Sequence, residues 1–376
     1  MIKGNFFNSS PAKPRVLVAP LDWGLGHATR CIPIILTLIE QGCEVIIAAD
    51  GPVKNLLQKE FAQVEFLPLR GYDIAYSRKK SWFGIKILSQ FPKIFLRIRA
   101  ENKWLKKAVG QYKIDAVISD NRPGLSHPAI PCIYITHQLL IKTGYRFTEW
   151  IAQKIHYHFI NKYSSCWVPD WQGKNNLAGA LSHPLRLPQI PVTYIGPLSR
   201  FKNSRADTKY DCCFLLSGPE PQRTIFENIV LKELETIQLK AVVIRGLPEE
   251  TVVPVSQKTG VEILNHLPAT ALEKCLLQSK LIIARSGYST IMDMVKLQKK
   301  SVLIPTPGQT EQEYLAAYLQ NKKIFYSVGQ QGFSLEEVLK NVQRFPFSSF
   351  NTTDGAANET IKNFAEMLFM AKGQGI

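Results

Sequence analysis

The residues best suited to chemistry lie where a buried apolar run gives way to glycine. Gly24-Leu25-Gly26-His27-Ala28-Thr29-Arg30 follows the apolar run at residues 15–20 and opens a helical stretch. Glycines there let the backbone approach an anion or a polar acceptor, and a helix start offers unpaired N–H groups with partial positive charge. His27, whose ordinary pKa lies near neutrality, suits proton abstraction from a hydroxyl; capping of the turn is the simpler alternative. The glycine spacing stops at G-x-G, so the loop lacks the dinucleotide fingerprint.

A second cluster, Ala284-Arg285-Ser286-Gly287-Tyr288-Ser289-Thr290 with Asp293 one turn on, also stands between a strand and a helix. Ordinary capping accounts for Ser and Thr there. Beyond capping, Arg285 can neutralise a diphosphate, the N–H groups from Gly287 to Thr290 can bind its oxygens, and Asp293 can accept from a ribose diol. A third loop, Pro305-Thr306-Pro307-Gly308-Gln309-Thr310-Glu311-Gln312-Glu313, carries amides and carboxylates of the kind that read sugar hydroxyls. Ser217-Gly218-Pro219-Glu220 is a fourth loop of the same sort.

These loops need strands to carry them. Apolar runs at 15–20, 44–49, 64–67, 116–119, 132–136, 166–168 and 192–195 read as strands, with helices at 28–41 and from Asp50 toward Glu60. A polar stretch with Pro197 follows and reads as a linker at 197–210. A second alternating series then places strands at 212–216, 241–244, 261–263, 281–284 and 301–304. Its helices fall at 223–237, 269–278, 289–297 and 311–320, and a terminal helix near 358–370. The expected architecture is therefore α/β: two doubly wound, Rossmann-like domains facing across a cleft. Residues 1–196 form the first domain, 211–350 the second, and 351–376 a C-terminal helix.

Charge divides the chain as the domains do. Of a net +16, residues 1–200 hold 26 Lys and Arg against 12 Asp and Glu, the remainder 20 against 18. The first half thus suits an anionic partner. Between Arg78 and Lys113 eleven basic residues face one acid, Glu101, with Ile87, Phe91, Ile94, Phe95, Ile98 and Leu105 interleaved and Trp82, Phe83 and Trp104 near. That is the pattern of a membrane-surface helix, or of a stripe packed on the sheet with solvated charges; Pro92 is expected to split it. Seven cysteines without C-x-x-C fit a reducing cytoplasm, and no apolar run is long enough to span a bilayer.

In their order, Gly24-Leu25-Gly26-His27, Arg285 to Thr290 with Asp293, and the loop 307–313 resemble the nucleotide-sugar glycosyltransferases of GT-B fold. The likeness extends to the peptidoglycan lipid-intermediate N-acetylglucosaminyl transferases and to a bacterial and archaeal group with G-x-G-H-x-x-R. The resemblance implies His27 as base, with Gly24, Gly26 and Arg30 on the acceptor side. It implies a diphosphate-binding turn of Arg285, Ser286, Gly287, Tyr288, Ser289 and Thr290, and a ribose contact at Asp293, where the family has Glu. Gln312 and Glu313 fall at donor-sugar positions, His266 and Leu267 where the backbone reads uracil, and Gly218 in a glycine loop altered by Pro219. A UDP-sugar donor, inverting transfer of a hexosyl group without a metal or other cofactor, and a lipid-linked or phosphate-bearing acceptor follow from the same likeness. A UDP-sugar 2-epimerase of this fold, a basic nucleic-acid-binding protein and a dinucleotide oxidoreductase are the competing readings. No nucleic-acid motif accompanies the basic residues, so nucleic acid is not the expected partner.

Overall fold

The computed structural model describes residues 12–72, 91–202, 204–256, 258–349 and 355–373. The basic and aromatic residues expected at a membrane from Arg78 to Ile87 lie outside them.

The first series runs β1 (Arg15–Pro20), α1 (Leu25–Glu40), β2 (Glu44–Ala49), α2 (Gly51–Glu60), β3 (Glu65–Pro68), α3 (Phe91–Tyr112), β4 (Ala116–Asp120), β5 (Cys132–Ile135), α4 (Arg146–Ile160), β6 (Ser165–Val168) and β7 (Val192–Tyr194). Its sheet has the order β3-β2-β1-β4-β5-β6-β7, parallel throughout. The second series runs β8 (Tyr210–Leu215), α5 (Gln222–Thr236), β9 (Ala241–Ile244), β10 (Val261–Leu264), α6 (Ala269–Leu277), β11 (Ser279–Ala284), α7 (Tyr288–Lys296), β12 (Ser301–Leu303), α8 (Thr310–Asn321), β13 (Tyr326–Ser327) and α9 (Leu335–Arg344). Its parallel sheet has the order β10-β9-β8-β11-β12-β13. Helices cover both faces, which is why Val16 to Ala19 and Ala241 to Ile244 are apolar at every position rather than at alternate ones.

In each sheet the strand order reverses once, between β1 and β4 and between β8 and β11. The crevice beyond the carboxyl ends of such a pair is where doubly wound sheets bind ligands. All four loops singled out in the sequence leave strands on these carboxyl edges, three of them from a reversal pair.

A last helix, α10 (Ala356–Gly373), returns to the first domain: Phe364 meets the edge of Trp167 at 5.4 Å and Lys372 pairs with Asp115 at 2.5 Å. The seven cysteines are buried and unpaired. Helix α3 begins at Phe91, so Pro92 sits in its first turn, where its missing N–H has no intrahelical partner to lose; the part of the stripe before it lies outside the described residues. Ile98, Leu105 and Ala108 of its apolar stripe are buried against the first domain, while Phe95 and Leu96 stay exposed. Among the described residues no helix is long and apolar enough to cross a membrane.

Candidate active site

Helix α1 starts at Leu25, three residues earlier than the sequence pattern indicated, with Gly24 as its N-cap at φ +85°, a conformation that strains any residue with a Cβ. The earlier start puts His27 and Arg30 on one helical face, three residues apart, over the carboxyl end of β4. There Asp120, with no exposed surface, receives both. Arg30 donates to it from Nε at 2.7 Å and again from Nη2, and His27 Nδ1 lies 3.1 Å from its Oδ2.

His27 Nδ1 also lies 2.8 Å from Arg30 Nη2. One nitrogen serves one of these neighbours at a time. Protonated, Nδ1 donates to Asp120 and leaves Nε2 bare as a base; bare, it accepts from Arg30 and Nε2 carries the proton. Burial and the Arg30 charge hold the His27 pKa below its ordinary 6.5, against the opposing pull of Asp120. Burial pushes the Asp120 carboxyl up, but the charges and hydrogen bonds of Arg30 and His27 outweigh it and leave the group well below the usual range. The imidazole, with 15% of its side chain exposed, is thus unprotonated at neutral pH and oriented by a carboxylate.

The cluster continues into the second domain. Arg30 Nη1 is 3.3 Å from His137 Nδ1, and His137 Nε2 is 2.8 Å from Glu311 Oε1, at the start of α8. Tyr288 stacks on the His137 ring at 4.1 Å, and its hydroxyl donates to Pro169 O at 2.8 Å. Ser289 Oγ donates to Gly26 O at 2.9 Å. A Cβ on Gly26 would come within 2.8 Å of that oxygen, so glycine is what lets the first turn of α7 approach the first-domain loop.

Several expected site residues are placed otherwise. Arg30, expected on the acceptor surface, is 2% exposed and committed to Asp120 and His137. Arg285, expected to face a diphosphate, turns into its own domain. It donates to Ile304 O, Gln222 O and Gln330 Oε1 with Phe226 beneath it, and burial lowers its pKa to about 10. It braces the loops rather than lining the cleft. Asp293 accepts from Ser199 Oγ of the linker at 2.6 Å, and burial raises its carboxyl to about 6. Gln312 accepts from Thr306 N at 2.9 Å, Glu313 from Gly308 N at 3.1 Å, and Ser286 Oγ donates to Gln312 O. These side chains hold the 305–309 loop in shape. Tyr288 leaves only its backbone to the turn. Gly287, Ser289 and Thr290 remain at the open start of α7, whose first N–H groups have no intrahelical acceptor. Gly218 takes φ +104° beside Thr306, whose buried Oγ1 has no protein partner. His266 and Leu267 are half-buried just after β10.

Asp120 and His137 were not singled out from sequence, and Glu311 was read only as part of the third loop. Asp120 and His137 each sit at or just past the end of a buried apolar strand, which is the signal that marks them in retrospect.

Residues 218–368 match the glycosyltransferase family 28 C-terminal domain. No curated protein matches the chain by sequence. Among solved structures, the glycotransferase of kitacinnamycin aligns over 96% of both chains at TM-score 0.59 and 15% identity. The spinosyn forosaminyltransferase SpnP does so over 96% of both at 0.58 and 12%. The glycosyltransferase VinC, in complex with DTDP, aligns over 95% of both at 0.52 and 12%. At such identities the likeness establishes the fold, that of the GT-B glycosyltransferases. With the family match over its second domain, the chain is a glycosyltransferase of GT-B type.

Proposed function

We propose that the chain transfers a hexosyl group, N-acetylglucosamine or a near relative, from a UDP-sugar to an acceptor hydroxyl with inversion and without a metal. The observation that carries this is the apposition of the His27–Asp120 pair and the open first turn of α7 across one cleft, with Ser289 Oγ 2.9 Å from Gly26 O. His27 Nε2 takes the acceptor proton as the acceptor oxygen bonds to the anomeric carbon. The bond from that carbon to the diphosphate oxygen breaks on the opposite side, and the nucleoside diphosphate leaves with the electron pair. The α7 N-terminus stabilises the charge that develops there. With Arg285 turned inward, that stabilisation falls to backbone N–H groups. Thr306 Oγ1, buried beside Gly218 without a protein partner, is a further donor near the Gly218 loop.

Uridine is tested by thermal shift. At a hundredfold excess over Kd a ligand specific for the folded state adds about 2.7 kcal/mol. UDP is expected to raise the melting temperature by several degrees, above dTDP, GDP and ADP; a larger rise with dTDP overturns the uridine assignment.

A lipid-linked or phosphate-bearing acceptor, met at an anionic membrane surface, completes the proposal. Helix α4 turns Phe147, Trp150, Ile151 and Ile155 outward along one face, with Phe147 70% exposed. Lys154 Nζ sits 3.9 Å over Trp150. Beside it a cavity of about 400 Å³ is lined by Phe95, Ile98 and Phe159 together with Arg99, His158 and Lys162. Aromatics edged by cations suit the interface of an anionic bilayer. The chain is expected to co-sediment with vesicles containing phosphatidylglycerol and not with phosphatidylcholine alone. Phe147→Ser with Trp150→Ser is expected to weaken that binding tenfold or more, by roughly the burial energy of one or two aromatic rings. Equal sedimentation of variant and parent removes α4 from the reading.

A further inference from the structure

The base of the first domain is not finished by the first domain. His27, Arg30 and Asp120 come from α1 and β4, and His137 from the turn after β5. The last member of the chain, Glu311, belongs to α8 of the second domain. Arg30 can only donate, so His137 Nδ1 accepts from it and His137 Nε2–H donates to Glu311, which fixes the tautomer of His137. The ring is clamped from its face by Tyr288, also of the second domain, lying within 5° of parallel. Neither contact exists unless the domains are together.

We propose that Glu311 is a positioning residue for the transfer: through His137 and Arg30 it fixes the His27–Asp120 pair, so the base is complete only with the domains closed. The charged and titratable groups around His27 are Arg30 from its own helix, Asp120 from β4, with Cys31 Sγ turned to it, His137 from the turn after β5, and Glu311 from α8. Without Glu311 the cluster holds one fixed cation and one fixed anion. With it a second anion, its own side chain 32% exposed, is set against the buried His137 ring, where a charge acts more strongly than in bulk water. The Arg30 guanidinium, engaged at Nη1 by His137, is also held in place between Asp120 and His27, with Nε 2.7 Å from Asp120 and Nη2 2.8 Å from His27 Nδ1. Burial pushes the Glu311 carboxyl up, yet the hydrogen bond from His137 and the charges of His137, His27 and Arg30 leave it below its ordinary value, so it is ionised in the closed form.

This inference rests on His27 as the base, and the test separates the two. Full-length protein carrying ¹³C-labelled histidine is titrated by NMR with saturating UDP, the His27 signal being assigned by its loss in His27→Ala. Glu311→Gln is expected to lower the His27 midpoint by roughly half a unit, the size of losing one nearby, partly exposed charge. Glu311→Ala, which leaves no amide to bury, is expected to do the same, and Glu311→Asp to restore most of the shift. In turnover, measured as UDP release, Glu311→Gln is expected to depress kcat with the donor KM within twofold of the parent. An unmoved His27 midpoint in both Gln and Ala variants, or a raised donor KM with an unchanged pH profile, overturns the proposal and makes Glu311 a donor contact. Persistent transfer by His27→Ala instead overturns the assignment of the base itself.

Discussion

Asp120→Asn is expected to reduce transfer by about 10²–10⁴-fold, the range a positioned general base contributes. An amide in place of the carboxylate no longer holds the proton on His27 Nδ1, so the tautomer with Nε2 bare loses its support. The same substitution leaves Arg30, 2% exposed, without its anion. Breaking a buried pair from one side costs about 3–5 kcal/mol. Urea unfolding is therefore expected to show a much lower midpoint for the variant at neutral pH. The sign of the pH effect follows from the depressed carboxyl. Its contribution is fully present above the ordinary value of 3.8 and is lost as pH falls below that toward the folded value. Parent and variant stabilities should accordingly converge in acid. A variant with parental turnover and a parental midpoint would show that Asp120 neither orients His27 nor balances Arg30.

Removing the base itself separates chemistry from binding. His27→Ala is expected to abolish transfer, again by about 10²–10⁴-fold, while the melting-temperature rise given by UDP stays near that of the parent. The distinction arises because His27 opens α1 in the first domain, whereas the proposed diphosphate seat is the start of α7 in the second. Since burial and Arg30 keep the His27 pKa below 6.5, the parental rate should hold through neutral pH and fall only on the acid side of that value, where the imidazole takes up a proton. Equal loss of UDP stabilisation and of transfer in His27→Ala would make the histidine part of donor binding instead.

The strands of the two sheets and the four loops at their carboxyl ends were legible in the sequence because a strand buried on both faces must be apolar at nearly every position, and glycine must mark the turns that leave it. Helix α4 was not legible. Phe147, Trp150, Ile151 and Ile155 follow a helical spacing, but they face outward, so the pattern belongs to no core and no strand on either side demanded it. Pro92 was legible as a boundary for a local reason: a proline is tolerated in the first turn of a helix, and α3 begins beside it.

His27 could be singled out from its own loop, since glycine, histidine and a helix start are neighbours along the chain. Its partners could not. Asp120 and His137 are 93 and 110 positions further on, Glu311 lies in the other domain, and nothing in a run of residues says which strand ends become adjacent. Arg285 and Asp293 illustrate the converse. Charge and spacing suited them to a diphosphate and a ribose, yet Arg285 is satisfied by Ile304 O, Gln222 O and Gln330, and Asp293 by Ser199. By itself the amino-acid order determined two parallel sheets and the loops able to carry chemistry, because periodicity and turn residues act over a few positions. Which side chains meet in those loops was decided by the closure of one domain on the other, because a hydrogen bond of 3 Å depends on the packing of every element between its ends.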